Sequence, residues 1–99
     1  MLVKVCQSGG IIGLIRSKEI ESDDIKDRWN EFVNKTTFMS IAKGTTLKNY
    51  SDVNEIKGRD MFSYSVEADE RTIIFNTGVK MDDPFFNEVR NFVEYVLKK

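Results

Sequence analysis

Histidine, the side chain on which much hydrolytic chemistry depends, does not occur in this chain, and cysteine occurs once, as Cys6. Serine and cysteine nucleophiles are commonly activated by an imidazole base, and most zinc sites use imidazole ligands. A lone cysteine on a strand is more often a small core residue than a nucleophile. We therefore expect a protein that is not an enzyme and that needs no metal or cofactor.

Three pairs of neighbouring acidic residues are the remaining candidates for acid–base or metal chemistry, which paired carboxylates can perform where they converge in a pocket. Each pair stands at the expected start of a helix or in a turn. Acidic residues are common there because they cap free amides and favour tight turns. We therefore interpret all three pairs as structural: Asp23–Asp24, Asp69–Glu70 and Asp82–Asp83.

The glycine-rich segment from Ser8 to Leu14 is the most unusual stretch of the chain. Glycine-rich loops bind phosphate where a helix follows directly, but a strand-forming run follows here, so nucleotide binding is disfavoured. Gly9–Gly10 instead predicts the centre of a tight hairpin turn. Gly13 lies inside the returning strand and marks a bulge or the close approach of another backbone. This hairpin is the candidate binding edge.

The two strands of the hairpin differ in their pattern. Residues 2–7 alternate between faces, with Val3 and Val5 on the same side. Residues 11–18 begin with a run that is apolar on both faces. We therefore expect the second strand to be more deeply buried than the first, or to be partly covered by a partner.

Residues 23–35 have the apolar spacing of a helix that buries one face. Ser22 or Asp23 is expected to cap the first free amides of this helix, and acidic residues suit its positive end. The following residues, 36–59, show no pattern that assigns them to a helix or a strand, and they stay unassigned.

The second half of the chain predicts another hairpin and a closing helix. Apolar and polar residues alternate over 61–67, and the β-branched run 72–76 is expected to pair back on it. Asp83 is the expected cap of a helix over 84–97, and Pro84 suits its first position.

These elements combine into a two-layer α+β fold of order ββαββα, in a single domain over residues 1–99. Two β-hairpins make a four-stranded antiparallel sheet, and two amphipathic helices cover one face, because every apolar stripe is then buried. The rings of Trp29 and Phe92 are expected to be buried between helix and sheet.

Charge and composition limit the partners. With 15 basic and 16 acidic residues the net charge is -1, and no basic cluster exceeds Lys98–Lys99, so nucleic acid and anionic membranes are disfavoured. The alternation of Phe62 and Tyr64 fits a core better than a platform for stacking bases. The single cysteine and the lack of an apolar run of roughly 18 residues favour a cytoplasmic protein, either a monomer or a weak dimer.

The order of several short motifs resembles the emfourin family of protealysin inhibitors, small proteins linked to thermolysin-like metallopeptidases. The motif Val-x-Val-x-x-Ser-Gly-Gly-x-x-Gly runs from Val3 to Gly13, and Asp60-x-Phe62-x-Tyr64 follows it, with an amphipathic helix at the end of the chain. The similar stretches are residues 3–16, 60–76 and 84–97.

The resemblance implies a proteinaceous inhibitor that blocks the active-site cleft of a thermolysin-like metallopeptidase. A substrate-like strand can add to a strand edge in such a cleft, and large apolar side chains such as Ile11, Ile12 and Leu14 would fill its pockets. The partner-binding residues that it implies are Ser8, Gly9, Gly10, Ile11, Ile12, Gly13 and Leu14, with Asp60, Phe62 and Tyr64 in support.

Three other interpretations of these residues stay open. Gly9–Gly10 could simply turn the chain, with Ile12 and Leu14 in the core. A small non-enzymatic interaction module, such as a viral, plasmid or host accessory protein, would bind a partner protein through the same hairpin. A structural dimer would share the second strand as a common edge.

Overall fold

The computed structural model describes residues 1–9, 14–49, 62–76 and 83–99, and one β-sheet with two α-helices accounts for most of them. Short 3₁₀ turns at Ser22–Ile25 and Phe38–Ser40 flank the first α-helix. The strands and helices are β1 (Leu2–Gly9), β2 (Leu14–Glu21), α1 (Lys26–Thr36), β3 (Thr46–Asn49), β4 (Phe62–Ala68), β5 (Arg71–Asn76) and α2 (Pro84–Leu97).

Within the described residues the sheet has five strands, in the order β2-β1-β4-β5-β3. β3 runs parallel to β5, whereas the other neighbours are antiparallel. The α+β class is confirmed, but the predicted four-stranded, purely antiparallel sheet of order ββαββα is wrong. The extra strand, β3, lies within residues 36–59. Its single apolar residue is Leu47, which is 43% exposed, so the strand has no alternation of apolar and polar residues that would predict it.

The first hairpin is wider than predicted. A two-residue turn at Gly9–Gly10 would pair Ser8 with Ile11, but Ser8 pairs with Ile15 and Gly9 pairs with Leu14. Gly9 is the last residue of β1, with a φ of 120°, a conformation that favours glycine. The predicted bounds 2–7 and 11–18 therefore become Leu2–Gly9 and Leu14–Glu21.

Both helices pack on one face of the sheet and share a single core with it. Val3 and Val5 of β1 are inaccessible to solvent. Trp29 of α1 is 7% exposed and Phe92 of α2 is 0% exposed, with ring centroids 5.7 Å apart. The predicted burial of these two rings is confirmed. The other buried apolar residues in the described part of the chain are Ile25, Phe32, Phe38, Tyr64, Val66, Ala68, Ile73, Phe75, Phe86, Val89, Val93 and Val96.

The starts of the two helices differ. The Asp83 carboxylate accepts a hydrogen bond from the Phe85 N–H at 2.9 Å, so the predicted cap of α2 is confirmed. No side chain caps α1 or the 3₁₀ turn before it, so the expected cap at Ser22 or Asp23 is wrong. The Ser22 N–H instead donates to the Met1 carbonyl at 2.8 Å, which extends the β1–β2 ladder by one pair.

A charged contact joins the two helices across their outer groove. Arg28 Nη1 lies 2.6 Å from Glu88 Oε1, and Lys35 Nζ lies 3.8 Å from Glu88 Oε2. The Glu88 side chain is 8% exposed, so its charge depends on these partners. Buried ion pairs add little net stability, but they penalise arrangements that separate the charges. The contact therefore favours an arrangement of α2 against α1 that keeps Glu88 beside Arg28 and Lys35.

Candidate partner-binding edge

The base of the first hairpin lies beside the strand that carries the second predicted motif. β1 is flanked by β2 and β4, so Gly9 pairs with Leu14 on one side and with Phe62 on the other. Ser8 faces Ser63 in the same register. The structure thus brings Ser8, Gly9 and Phe62 together, although more than fifty residues separate Gly9 from Phe62 in the chain.

Tyr64 belongs to the support of the hairpin and not to its surface. It is 4% exposed, and its ring stacks on Phe75 with centroids 5.4 Å apart. Its hydroxyl accepts a hydrogen bond from Gln7 Nε2 at 3.3 Å. Burial raises the pKa of the Tyr64 phenol, and the nearby Glu94 carboxylate raises that pKa further. Tyr64 is therefore a neutral core residue that ties β4 to the end of β1.

β2 occupies one edge of the sheet, and Ile15 at its start is 71% exposed. The expectation that this strand is more deeply buried than the first is therefore wrong. Of the apolar run that suggested burial, the structure describes the side chain of Ile15, and that side chain is exposed at an edge strand. A single exposed aliphatic side chain does not by itself mark a contact surface, but a strand edge can pair with an extended segment of another chain.

Part of the predicted site lies outside the described residues: Gly10, Ile11, Ile12, Gly13 and Asp60. For Leu14 the structure describes the backbone, as the first residue of β2, but not the side chain. The interpretations that place Ile12 and Leu14 in the core or at an interface are not decided by the described residues.

The face of the sheet opposite the helices carries mostly polar and charged side chains, together with the aliphatic Ile15 and Ile74. Half-buried Cys6 lies there beside Ser65 and Ile74, in a shallow depression that Lys4 also lines. Within the described ranges, no group of three or more acidic, cysteine or histidine side chains is placed to hold a metal ion. In the same ranges, no helix is long and apolar enough to cross a membrane.

The acidic pair in the second hairpin forms a turn, as the sequence predicted. Asp69 and Glu70 have φ values of 51° and 62°, between β4 and β5. Asp69 Oδ2 lies 2.6 Å from Arg71 Nη1, and the hydrogen bond from Arg71, with a smaller contribution from Lys43, lowers the pKa of the Asp69 carboxyl. The Asp69 carboxylate is therefore held by two basic side chains at this turn.

Two basic residues of β2 were not singled out from the sequence. Arg16 and Lys18 are two positions apart on a strand, so their side chains lie on the same face. Arg16 lines a shallow groove with Gln7, Glu94 and Lys98. The sequence shows that Arg16 and Lys18 are two positions apart, but it does not show that their strand lies at an edge of the sheet, where both side chains can reach a partner.

Comparison with known proteins adds no relative: no family model, curated protein or solved structure matches this chain.

Proposed function

We propose that this protein is a proteinaceous inhibitor of a thermolysin-like metallopeptidase, and that the hairpin segment Ser8–Leu14 blocks the active-site cleft of the enzyme. The observation that carries the proposal is the 71% exposure of Ile15 on an edge strand, immediately after that segment. The resemblance of the Ser-Gly-Gly and Asp-x-Phe-x-Tyr motifs to emfourins supplies the class of target.

The base of the hairpin is suited to an inhibitor because it is anchored on a core strand. Gly9 pairs with Phe62, and the Gln7 side chain bonds to buried Tyr64. A binding segment held in place before association loses less conformational entropy on binding. Inhibition would then come from filling the cleft with backbone pairing and apolar side chains, without removal of the catalytic zinc.

A non-enzymatic protein-interaction module is the second candidate. The outer side of β2, with which no described strand pairs, favours it, because an edge strand can pair with an extended segment of many kinds of protein. In that case the same hairpin would bind a partner that is not a peptidase.

The inhibitor proposal predicts that Ile15→Asp abolishes tight inhibition while the fold is kept. A charge next to an apolar pocket is costly to desolvate, so we expect the inhibition constant to rise at least about tenfold. Because Ile15 is exposed, the melting temperature should change little. The measurement is an inhibition constant against a panel of thermolysin-like peptidases, with a melting curve for each variant.

Leu47→Asp is the matched control, since Leu47 is an exposed aliphatic residue of β3 at the opposite edge of the sheet. It should inhibit like the wild type. If folded Ile15→Asp inhibits as well as the wild type, the β2 edge at Ile15 is not part of the contact with the peptidase. A wild-type protein that inhibits none of the panel would leave the interaction module as the better candidate.

A further inference from the structure

The outer side of β2 presents a row of unpaired peptide groups. In an antiparallel ladder, every second pair of facing residues is joined by backbone hydrogen bonds. Because Ser22 bonds to Met1, the bonded pairs of the β1–β2 ladder join even-numbered residues of β2 to odd-numbered residues of β1. Ile15, Ser17 and Glu19 therefore direct their N–H and C=O groups away from β1. In the part of the chain that the structure describes, no backbone group pairs with them on that side.

The side chains between these peptide groups are basic, and Lys98, the residue after α2, adds one more cation. Arg16 and Lys18 lie on the helix-covered face of the sheet. Lys98 lines the same groove as Arg16, and Lys18 Nζ donates to the Lys99 carbonyl. Glu94 is the acidic residue of the groove, and Arg16 has no ion pair with any described residue. On the helix-covered face the edge therefore combines outward-directed backbone groups with more basic than acidic side chains.

A second copy of this chain does not fit the edge. Two β2 strands could pair antiparallel about a twofold axis. Two registers give the longest overlap. In one, Arg16 faces Lys18 of the other copy, and in the other, Lys18 faces Lys18 of the other copy. Like charges directly opposite one another destabilise a strand pair. The charge pattern thus opposes self-association and requires a strand of a different sequence.

We propose that the outer edge of β2 binds an extended acidic segment of a partner protein. The segment adds an antiparallel strand in which two carboxylates, two residues apart, lie opposite Arg16 and Lys18. An apolar side chain lies opposite Ile15. Glu19 repels an acidic residue on the other face, so the acids must occupy one face of the bound strand.

This inference goes beyond the proposed peptidase contact. The edge contact shares Ile15 with the proposed peptidase contact, but it depends on the outward peptide groups of β2 and on Arg16 and Lys18. It holds for any partner that carries the segment. Its test therefore uses a peptide alone, so that a failure of inhibition and a failure of edge binding give different results.

The binding test uses a peptide as long as β2 in which Glu alternates with Thr. Two peptides are its controls: one of the same composition with its Glu residues consecutive, and one in which Lys replaces Glu. Measured by fluorescence anisotropy at low salt, the alternating acidic peptide should bind at least about tenfold tighter than either control. Its affinity should fall as salt is added, because the charges are on the surface.

Methylation of peptide amides separates strand pairing from simple charge attraction. In the proposed register the Thr amides face β2 and the Glu amides face solvent. N-methylation of the Thr residues removes the amide hydrogens that bond to β2 and should abolish binding. N-methylation of the Glu residues should leave the affinity unchanged. Equal binding by both methylated peptides would overturn the proposal, as would equally tight binding of a single-stranded oligonucleotide of the same charge.

Variants of the protein test the same surface from the other side. Ser17→Pro removes one outward N–H and no bond to β1, which edge strands tolerate, so peptide binding should be lost from a folded protein. Reversing both charges, with Arg16→Glu and Lys18→Glu together, should transfer binding to the Lys peptide. Lys48→Glu on β3 is the matched control and should bind like the wild type. Retained acidic-peptide binding by the reversed variant would refute the proposed contact.

Discussion

At the scale of single residues, the least expected position is Gly9. The sequence suggested that Gly9 and the next glycine form the turn itself, but Gly9 is paired within the sheet on both sides. It nevertheless has a positive φ of 120°. A glycine in this conformation lets the chain enter the hairpin loop directly from a fully paired strand.

We expect Gly9→Val to destabilise the fold by about 1–3 kcal/mol, because a β-branched residue is strained at positive φ. The measurement is the free energy of unfolding in denaturant. Ser8→Val is the control, since Ser8 is also paired on both sides and has no positive φ. Equal losses in the two variants would show that the positive φ is not what the glycine provides.

At the scale of the elements, local signals predicted α2 more accurately than α1. The bounds of α2 agree with the sequence prediction, since the Asp83 cap, Pro84 and the apolar stripe all lie within the helix or next to it. The start of α1 was placed on acidic residues that make no capping bond, because the preceding residues continue the β1–β2 ladder into a 3₁₀ turn. A long-range pairing thus replaced the local cap.

This difference predicts unequal effects of two similar substitutions. Asp83→Ala should cost about 1 kcal/mol of stability, because it removes the hydrogen bond to the Phe85 N–H. Asp23→Ala should stay within about 0.5 kcal/mol of the wild type, as an exposed position with no such bond. Chemical denaturation of both variants measures the two costs, and a larger loss from Asp23→Ala would contradict the assignment of the caps.

At the scale of the whole molecule, the α+β class followed from the sequence, but the position of each strand in the sheet did not. Alternation and apolar stripes show which residues are buried, and they gave β1, β4, β5 and both helices approximate bounds. Strand order depends on which distant segments pair, and no local pattern records this. The apolar start of the second strand therefore suggested burial, although the strand lies at an edge where Ile15 is exposed.

The candidate site was predictable only in part for the same reason. The glycine-rich segment and the aromatic motif stood out by their residue types, but their proximity arises from the β1–β4 pairing. Arg16 and Lys18 of β2 could be recognised as a candidate binding surface only once the strand order placed β2 at the edge of the sheet. Local chemistry thus pointed to the hairpin, and the topology determined which of its sides is free.

The pairing of β1 with β4 also has a consequence for the order of folding. Each hairpin closes over a short loop, and isolated hairpins form in about 1–10 μs. The seam between them joins Cys6 to Ser65, across most of the chain, and closing so long a loop is slow because of its entropy. We expect the two hairpins to form first and to dock later. In pulsed hydrogen exchange during refolding, amides that bond within a hairpin should gain protection before those that bond across the β1–β4 seam, and simultaneous protection would contradict this order.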